Sequence, residues 1–267
     1  MRRSRSFFIL AVAVVSVVIA VAVGRNNTAK AEVAVGPVDS LGNAIHCTTI
    51  YAASLPYTIS SSGVYCLAGS MNYTGSGAAI TIQVNATWGP PWGAVLDFGG
   101  FNLNGNNTTG QIGVLAADNG NYVIRNGTIT NFLTGIKTNS ATANVIISEM
   151  RIVGSTDAIR VDGSGPVEIR KNFLQNASQL INVTNYTSQI SIHDNLLLDQ
   201  TLVTTAAITF DANFSGTAFI ERNEVAHVSG DGIKISAGSA FLRYNIVKDV
   251  GGNAYTGVGM NNVREND

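Results

Sequence analysis

The chain has 267 residues, of which 12% are charged and 45% hydrophobic, with 28 glycines, only 5 prolines and a formal net charge of −1. That length carries one large domain or two small ones and can bury a sizeable core. The low charge excludes a coiled coil, a long helical bundle and a charged disordered tail, and the near-neutral balance excludes a basic surface for nucleic acid.

The N-terminus reads as an export signal. Arg2, Arg3 and Arg5 precede an uncharged run over residues 7–23, which is the layout of a signal peptide. Ala29-Lys30-Ala31 supplies a small-x-small cleavage site. The run also reaches the lower length limit for a membrane span. Residues 1–31 are therefore either a cleaved signal or an uncleaved anchor that meets the membrane through residues 7–23. Both readings place the remainder outside the cytoplasm, secreted or at the cell surface. The leader holds five basic and no acidic residues; the remaining 11 basic and 17 acidic residues give the exported part a net charge of −6, which favours solubility.

Residues 32–78 hold the only cysteines, Cys47 and Cys66. In an exported chain an isolated pair reads as a disulfide. The segment itself reads as an N-terminal cap over the first strand edge, with residues 79–267 as one solenoid domain.

Two frames recur along that domain. The first, apolar-x-apolar-x-x-Asn-x-apolar, occurs at residues 122–129, 145–152, 167–174, 190–197, 218–225 and 240–247. Its Asn slot holds Gly127, Met150, Asn172, Asn195, Asn223 and Asn245, at separations of 23, 22, 23, 28 and 22. The second frame, small-apolar-x-apolar, follows at 135–138, 158–161, 180–183, 207–210, 232–235 and 257–260. Both alternate with the period of two of half-buried strands, and Gly, Asn, Asp, Ser and Thr fill the gaps. Repeated short strands without helical periodicity predict an all-β fold, a parallel β-helix (solenoid) of about seven coils. Successive coils pair strand on strand at about 4.8 Å. In such a stack Asn172, Asn195, Asn223 and Asn245 line up as a buried ladder of amides. Residues 79–84 and 95–105 supply the first coils, with Trp88–Gly93 as a turn excursion between them.

Pro56-Tyr-Thr-Ile-Ser-Ser-Ser-Gly-Val-Tyr-Cys-Leu67, Val95-Leu-Asp-Phe-Gly-Gly-Phe-Asn-Leu103 and Val123-Ile-Arg-Asn-Gly-Thr-Ile129 resemble the right-handed parallel β-helix proteins of the pectin-lyase-like superfamily, in particular its short-repeat β-helix-region members. The resemblance implies the right-handed hand of the solenoid and contact with an extracellular polysaccharide. It leaves the chemistry open, because the superfamily holds lyases, hydrolases, epimerases, adhesins and tailspikes.

The pectin hydrolases of that superfamily resemble one another in a Gly-His-Gly, an Arg-x-Lys and three carboxylates. This chain has neither tripeptide, and Asp231-Gly-Ile-Lys-Ile235 holds one Asp where two are expected. Asp157 and Asp231 fall three coils apart, about 14 Å at strand spacing. That exceeds the roughly 5–9.5 Å between carboxylates flanking one glycosidic bond. The candidate substrate-binding surface is the outward slot of the second frame: Lys137, Arg160, Asn182, Thr209, Lys234 and Gly259, flanked by Asp157, Asp162, Asp211 and Asp231. Its mixed charge suits an acidic sugar chain, or simply a solvated sheet face.

The first frame has its own outward column, Arg125, Ser148, Arg170, His193, Glu221 and Arg243, whose alternating signs read as rungs that pair with each other. His193 and Asp194 are neighbours and so are expected on opposite faces of a strand. His46, His193 and His227 lack ligand spacing, so neither a metal nor another cofactor is expected.

Two functions fit. One is an exported β-helix that binds an extracellular polysaccharide and, as a lyase, epimerase or glycoside hydrolase, processes it. The other is a non-catalytic structural, adhesive or filament-forming surface protein. Its last coil is either guarded by the charged residues Arg264, Glu265 and Asp267 or pairs head-to-tail with another copy.

Overall fold

The computed structural model describes residues 46–84, 93–118, 120–140 and 144–264. The leader with its candidate membrane contact at 7–23, residues 32–45, turn residues 85–92 and the last three residues lie outside the described residues. Among the described residues no helix is long and apolar enough to cross a membrane.

The chain is a parallel β-solenoid that lays down three strands per turn. The first stack runs Thr48–Ile50, Gly63–Leu67, Ala94–Asp97, the leading halves of Asn121–Thr130 and Asn144–Val153, Val167–Arg170, Gln189–His193, Thr217–Glu221, Ser239–Arg243 and Met260–Arg264. The second runs Met71–Asn72, Asn102–Asn104, the trailing halves of the same two long strands, Phe173–Gln175, Leu196–Leu198, Glu224–Val228 and Ile246–Val250. The third runs Tyr57–Ile59, Ala78–Ile82, Ile112–Ala116, Thr134–Ser140, Asp157–Gly163, Gln179–Tyr186, Ala206–Phe210, Asp231–Ile235 and Tyr255–Gly257. Nine strands in the third stack correspond to about eight turns.

Period-two alternation puts every second side chain inside, and the parallel register stacks like on like. Leu96, Ile124, Ile147, Ile169, Ile192, Ile220 and Leu242 form one interior column. Val114, Ile136, Ile159, Ile181, Ile208 and Ile233 form a second, and Leu103, Ile129, Ile152, Leu174, Leu197 and Val225 a third. Each of these side chains is at most 1% exposed, and burying one contributes about 1.5–3 kcal/mol. A single coil has only one rung of each column, so the core exists only in the stack.

The corner between the first and second stacks is made by one residue with left-handed backbone in each turn: Asn126, Glu149, Lys171, Asp194, Arg222 and Tyr244, with φ between 52° and 60°. The following residue then points inward. Asn172, Asn195, Asn223 and Asn245 occupy that slot, each 1–3% exposed. Nδ2 of Asn172 donates to Oδ1 of Asn195 at 3.0 Å, Asn195 to Asn223 at 2.9 Å, and Asn223 to Asn245 at 3.0 Å. Each Oδ1 also accepts the preceding rung's backbone N–H at 3.0–3.1 Å, and each Nδ2 donates to an interior carbonyl such as Ile147 O or Ile169 O. The ladder therefore satisfies the polar groups that a sharp inward corner strands in an apolar core. It stops at Met150, whose N–H donates to Asn172 Oδ1 at 3.0 Å. One coil earlier Phe98 fills the space: a Cβ on Gly127 would lie 2.1 Å from Phe98 Cβ.

Two boundaries differ from the sequence reading. Stacking begins at Thr48, which pairs with Tyr65, and Ile50, Ile59, Leu67 and Met71 are core residues. The described part of the expected cap thus already belongs to the solenoid: Thr48–Ile50 and Tyr57–Ile59 lie in its first coil, and Gly63–Leu67 and Met71–Asn72 in its second. The Cys47–Cys66 disulfide, Cα–Cα 5.8 Å, ties its two adjacent strands Thr48–Ile50 and Gly63–Leu67. At the other end the third-stack strand is Tyr255–Gly257, not 257–260. Gly257 and Gly259 have φ of 135° and 67°, a turn geometry that the small-apolar-x-apolar frame does not distinguish from a strand.

Candidate functional site

On the outer face of the third stack the register brings Lys137, Arg160, Asn182, Thr209, Lys234 and Thr256 into one column. Thr256 takes the place expected for Gly259, a consequence of the shifted last strand. Leu115 precedes Lys137 in the same column.

Around Arg160 the column becomes a charged cluster. Its guanidinium lies 3.7 Å from Asp157 and 3.2 Å from Asp162, and Lys137 Nζ lies 3.3 Å from the same Asp162 oxygen. Thr184 Oγ1 donates to Asp162 Oδ1, and Asn182 Nδ2 donates to Gln179 Oε1 at 2.8 Å. Asp157 is only 7% exposed. Burial pushes its carboxyl above the usual carboxylate range, opposed by Arg160 and by a hydrogen bond with Asn182. Two carboxyl groups, those of Asp157 and Asp162, thus share one guanidinium. The pair is Asp157 with Asp162, both from one strand, rather than Asp157 with the distant Asp231.

The other sequence candidates do not join this cluster. Asp211 accepts the backbone N–H groups of Asn185 at 3.3 Å and Asn213 at 3.0 Å, and Asp231 accepts Asn253 N–H at 2.8 Å. Both brace turns between coils. Lys234 has no ion pair among the described residues and stands between Thr209 and Thr256.

The first stack carries a second polar face. Asp97, Arg125, Ser148, Arg170, His193, Glu221 and Arg243 form one outward column. His193 bonds carboxylates with both ring nitrogens: Nε2 lies 3.0 Å from Glu168 Oε1 and Nδ1 2.7 Å from Asp194 Oδ2. Arg222 then grips Asp194 through Nε at 2.7 Å and Nη2 at 3.1 Å. The expectation that His193 and Asp194 face apart is overturned, because Asp194 is the left-handed corner residue and its φ of 57° breaks the alternation. Glu168 escaped the sequence reading because it meets His193 on the diagonal: the register partner of His193 is Arg170, two residues further along the strand. Among the described residues no group of three His, Cys, Asp or Glu is placed to hold a metal ion.

The model of the family described as right handed beta helix region matches residues 93–239. The chain belongs to this right-handed β-helix family. The match covers both polar faces apart from their last rungs, Arg243 and Thr256. No curated protein and no solved structure matches the chain. For a β-helix, membership settles architecture and leaves the chemistry to the side chains on its outer faces.

Proposed function

We propose that this β-helix binds an extracellular polysaccharide on the outer face of the third stack. The observation that carries the reading is the in-register polar column from Lys137 to Thr256. A rigid row of polar side chains repeating at about 4.8 Å suits a polymer that itself repeats. The Cys47–Cys66 disulfide supports an oxidising compartment, and with it export to the cell surface or medium. Where processing accompanies binding, Asp157, whose carboxyl burial raises beside the Arg160 guanidinium, is the proton donor this reading favours. The test is binding of the full chain to immobilised acidic and neutral polysaccharides, with Lys137→Ala/Lys234→Ala as the variant. Retention that falls severalfold in the double variant supports the face; retention of no polysaccharide refutes the reading.

The second reading is a structural or filament-forming surface protein. Its support is the exposed apolar group on the last described coils, with Tyr244, Ile246 and Val258 exposed by 47%, 49% and 58%. Concentration-dependent rods in light scattering and negative-stain images would favour it through head-to-tail association; a monomer at all concentrations would remove it.

A further inference from the structure

We propose that a trough on the outer face of the first stack is a second saccharide site, one that seats the rings of a neutral glycan. The proposal rests on the polysaccharide reading above and adds a place and a ligand class.

The trough has a volume of about 470 Å³, within the size range of small-molecule sites. It reaches from the strand Ala94–Asp97 to the strand Gln189–His193, four inter-coil steps or about 19 Å, room for more than one ring. Its floor is Val95, Val123 and Ile146, stacked in register and half-buried. They occupy outward positions, where a plain solvated face would carry polar side chains.

The same column continues as Glu168 and Ser191, which close one end of the trough together with Gln189. Glu168 uses a single oxygen, Oε1, for both of these side chains: Arg170 Nε at 3.3 Å and His193 Nε2 at 3.0 Å. Oε2 has no partner among the described residues. Asp194 holds His193 from the other side. The result is a carboxylate fixed in place, its charge offset, with acceptor lone pairs left over beside an apolar floor.

Those features select the occupant. Carboxylates along this face already have cationic partners, so nothing demands a charged ligand. An alkyl chain would cover the floor and leave the Glu168 acceptor unmet. An extended peptide needs a free strand edge, and here the strands present side chains while their edges pair with neighbouring coils. A sugar ring has an apolar face for Val123 and Ile146 and a rim of hydroxyls that donate to Glu168 and exchange hydrogen bonds with Ser191 and Gln189.

The experiment is calorimetric titration of the full chain with neutral hexasaccharides of β-glucan, xylan and mannan, and with hexagalacturonate. At least one neutral hexasaccharide is expected to bind in preference to hexagalacturonate. Ile146→Arg and Glu168→Gln should each weaken it about tenfold or more, whereas Lys248→Ala, on the second stack, should leave it unchanged. Should Ile146→Arg fail to fold, Ser191→Trp, which fills the trough from the end that Ser191 closes, takes its place. Binding that survives the trough variants and falls only in Arg160→Ala overturns the trough while the polysaccharide reading stands. Preference for hexagalacturonate also overturns it, and absence of any hexasaccharide binding overturns both.

Discussion

Asn195 Nδ2 donates to Asn223 Oδ1 at 2.9 Å, in a slot where the two residues are 2% and 1% exposed. This bond joins coils that are 28 residues apart in sequence. Asn195→Asp replaces a donor with an acceptor and buries a charge, so it should cost roughly 3 kcal/mol or more. Urea unfolding reads the loss directly, and an unchanged midpoint would show that the slot is not buried as described.

Asp194 is held well below the ordinary carboxylate value of 3.8, first by its hydrogen bond from Arg222 and then by that from His193. A lowered carboxyl contributes stability that is complete above the ordinary value and shrinks as pH falls through it. The side chains are substantially exposed, so the contribution is at most about 1 kcal/mol. Asp194→Asn should therefore be slightly less stable than the parent at pH 7, with the gap closing below pH 4. A gap that widens in acid would contradict the assignment.

Asp157 shows the opposite sign. Burial raises its carboxyl, so its protonated form is the one the fold favours; that contribution is present below the ordinary value and is lost as pH rises through the raised one. Asp157→Asn should be as stable as the parent or more so at pH 7, with the advantage fading towards pH 4. Thermal melts at both values decide, and a variant that is weaker at pH 7 than at pH 4 would mean that the carboxylate is stabilised there.

The repeat made the fold legible: the interior columns and the Asn slot both follow from period-two alternation at a spacing of 22–28 residues. The candidate site was less so, because alternation fails where the chain turns corners. Glu149, Lys171, Arg222 and Tyr244 adopt left-handed backbone without being the Gly or Asn that usually mark it. Asp194 therefore faces His193, against the strand rule. Asp157 and Asp162, named from the sequence only as flanking carboxylates, both meet Arg160 of their own strand.

The disulfide closes a sequence separation of 19 residues, worth about 3 kcal/mol in the chain-entropy picture. Cys47→Ser should lower the unfolding free energy by about that amount and loosen the Thr48–Ile50 strand first. Hydrogen exchange that is unaltered in residues 48–50 would contradict its role in fixing the first coil.

The most direct measurement of the polysaccharide reading is hydroxyl-radical footprinting of the full chain, with and without a polysaccharide that the parent retains and the Lys137→Ala/Lys234→Ala variant loses. Leu115 adjoins Lys137 in the third-stack column, while Tyr51 and Val203, 61% and 70% exposed, lie away from it. Slower oxidation of Leu115 at saturating ligand, with Tyr51 and Val203 unaffected, is the expected result. Equal oxidation of Leu115 in the free and bound protein would contradict a polysaccharide lying along this face.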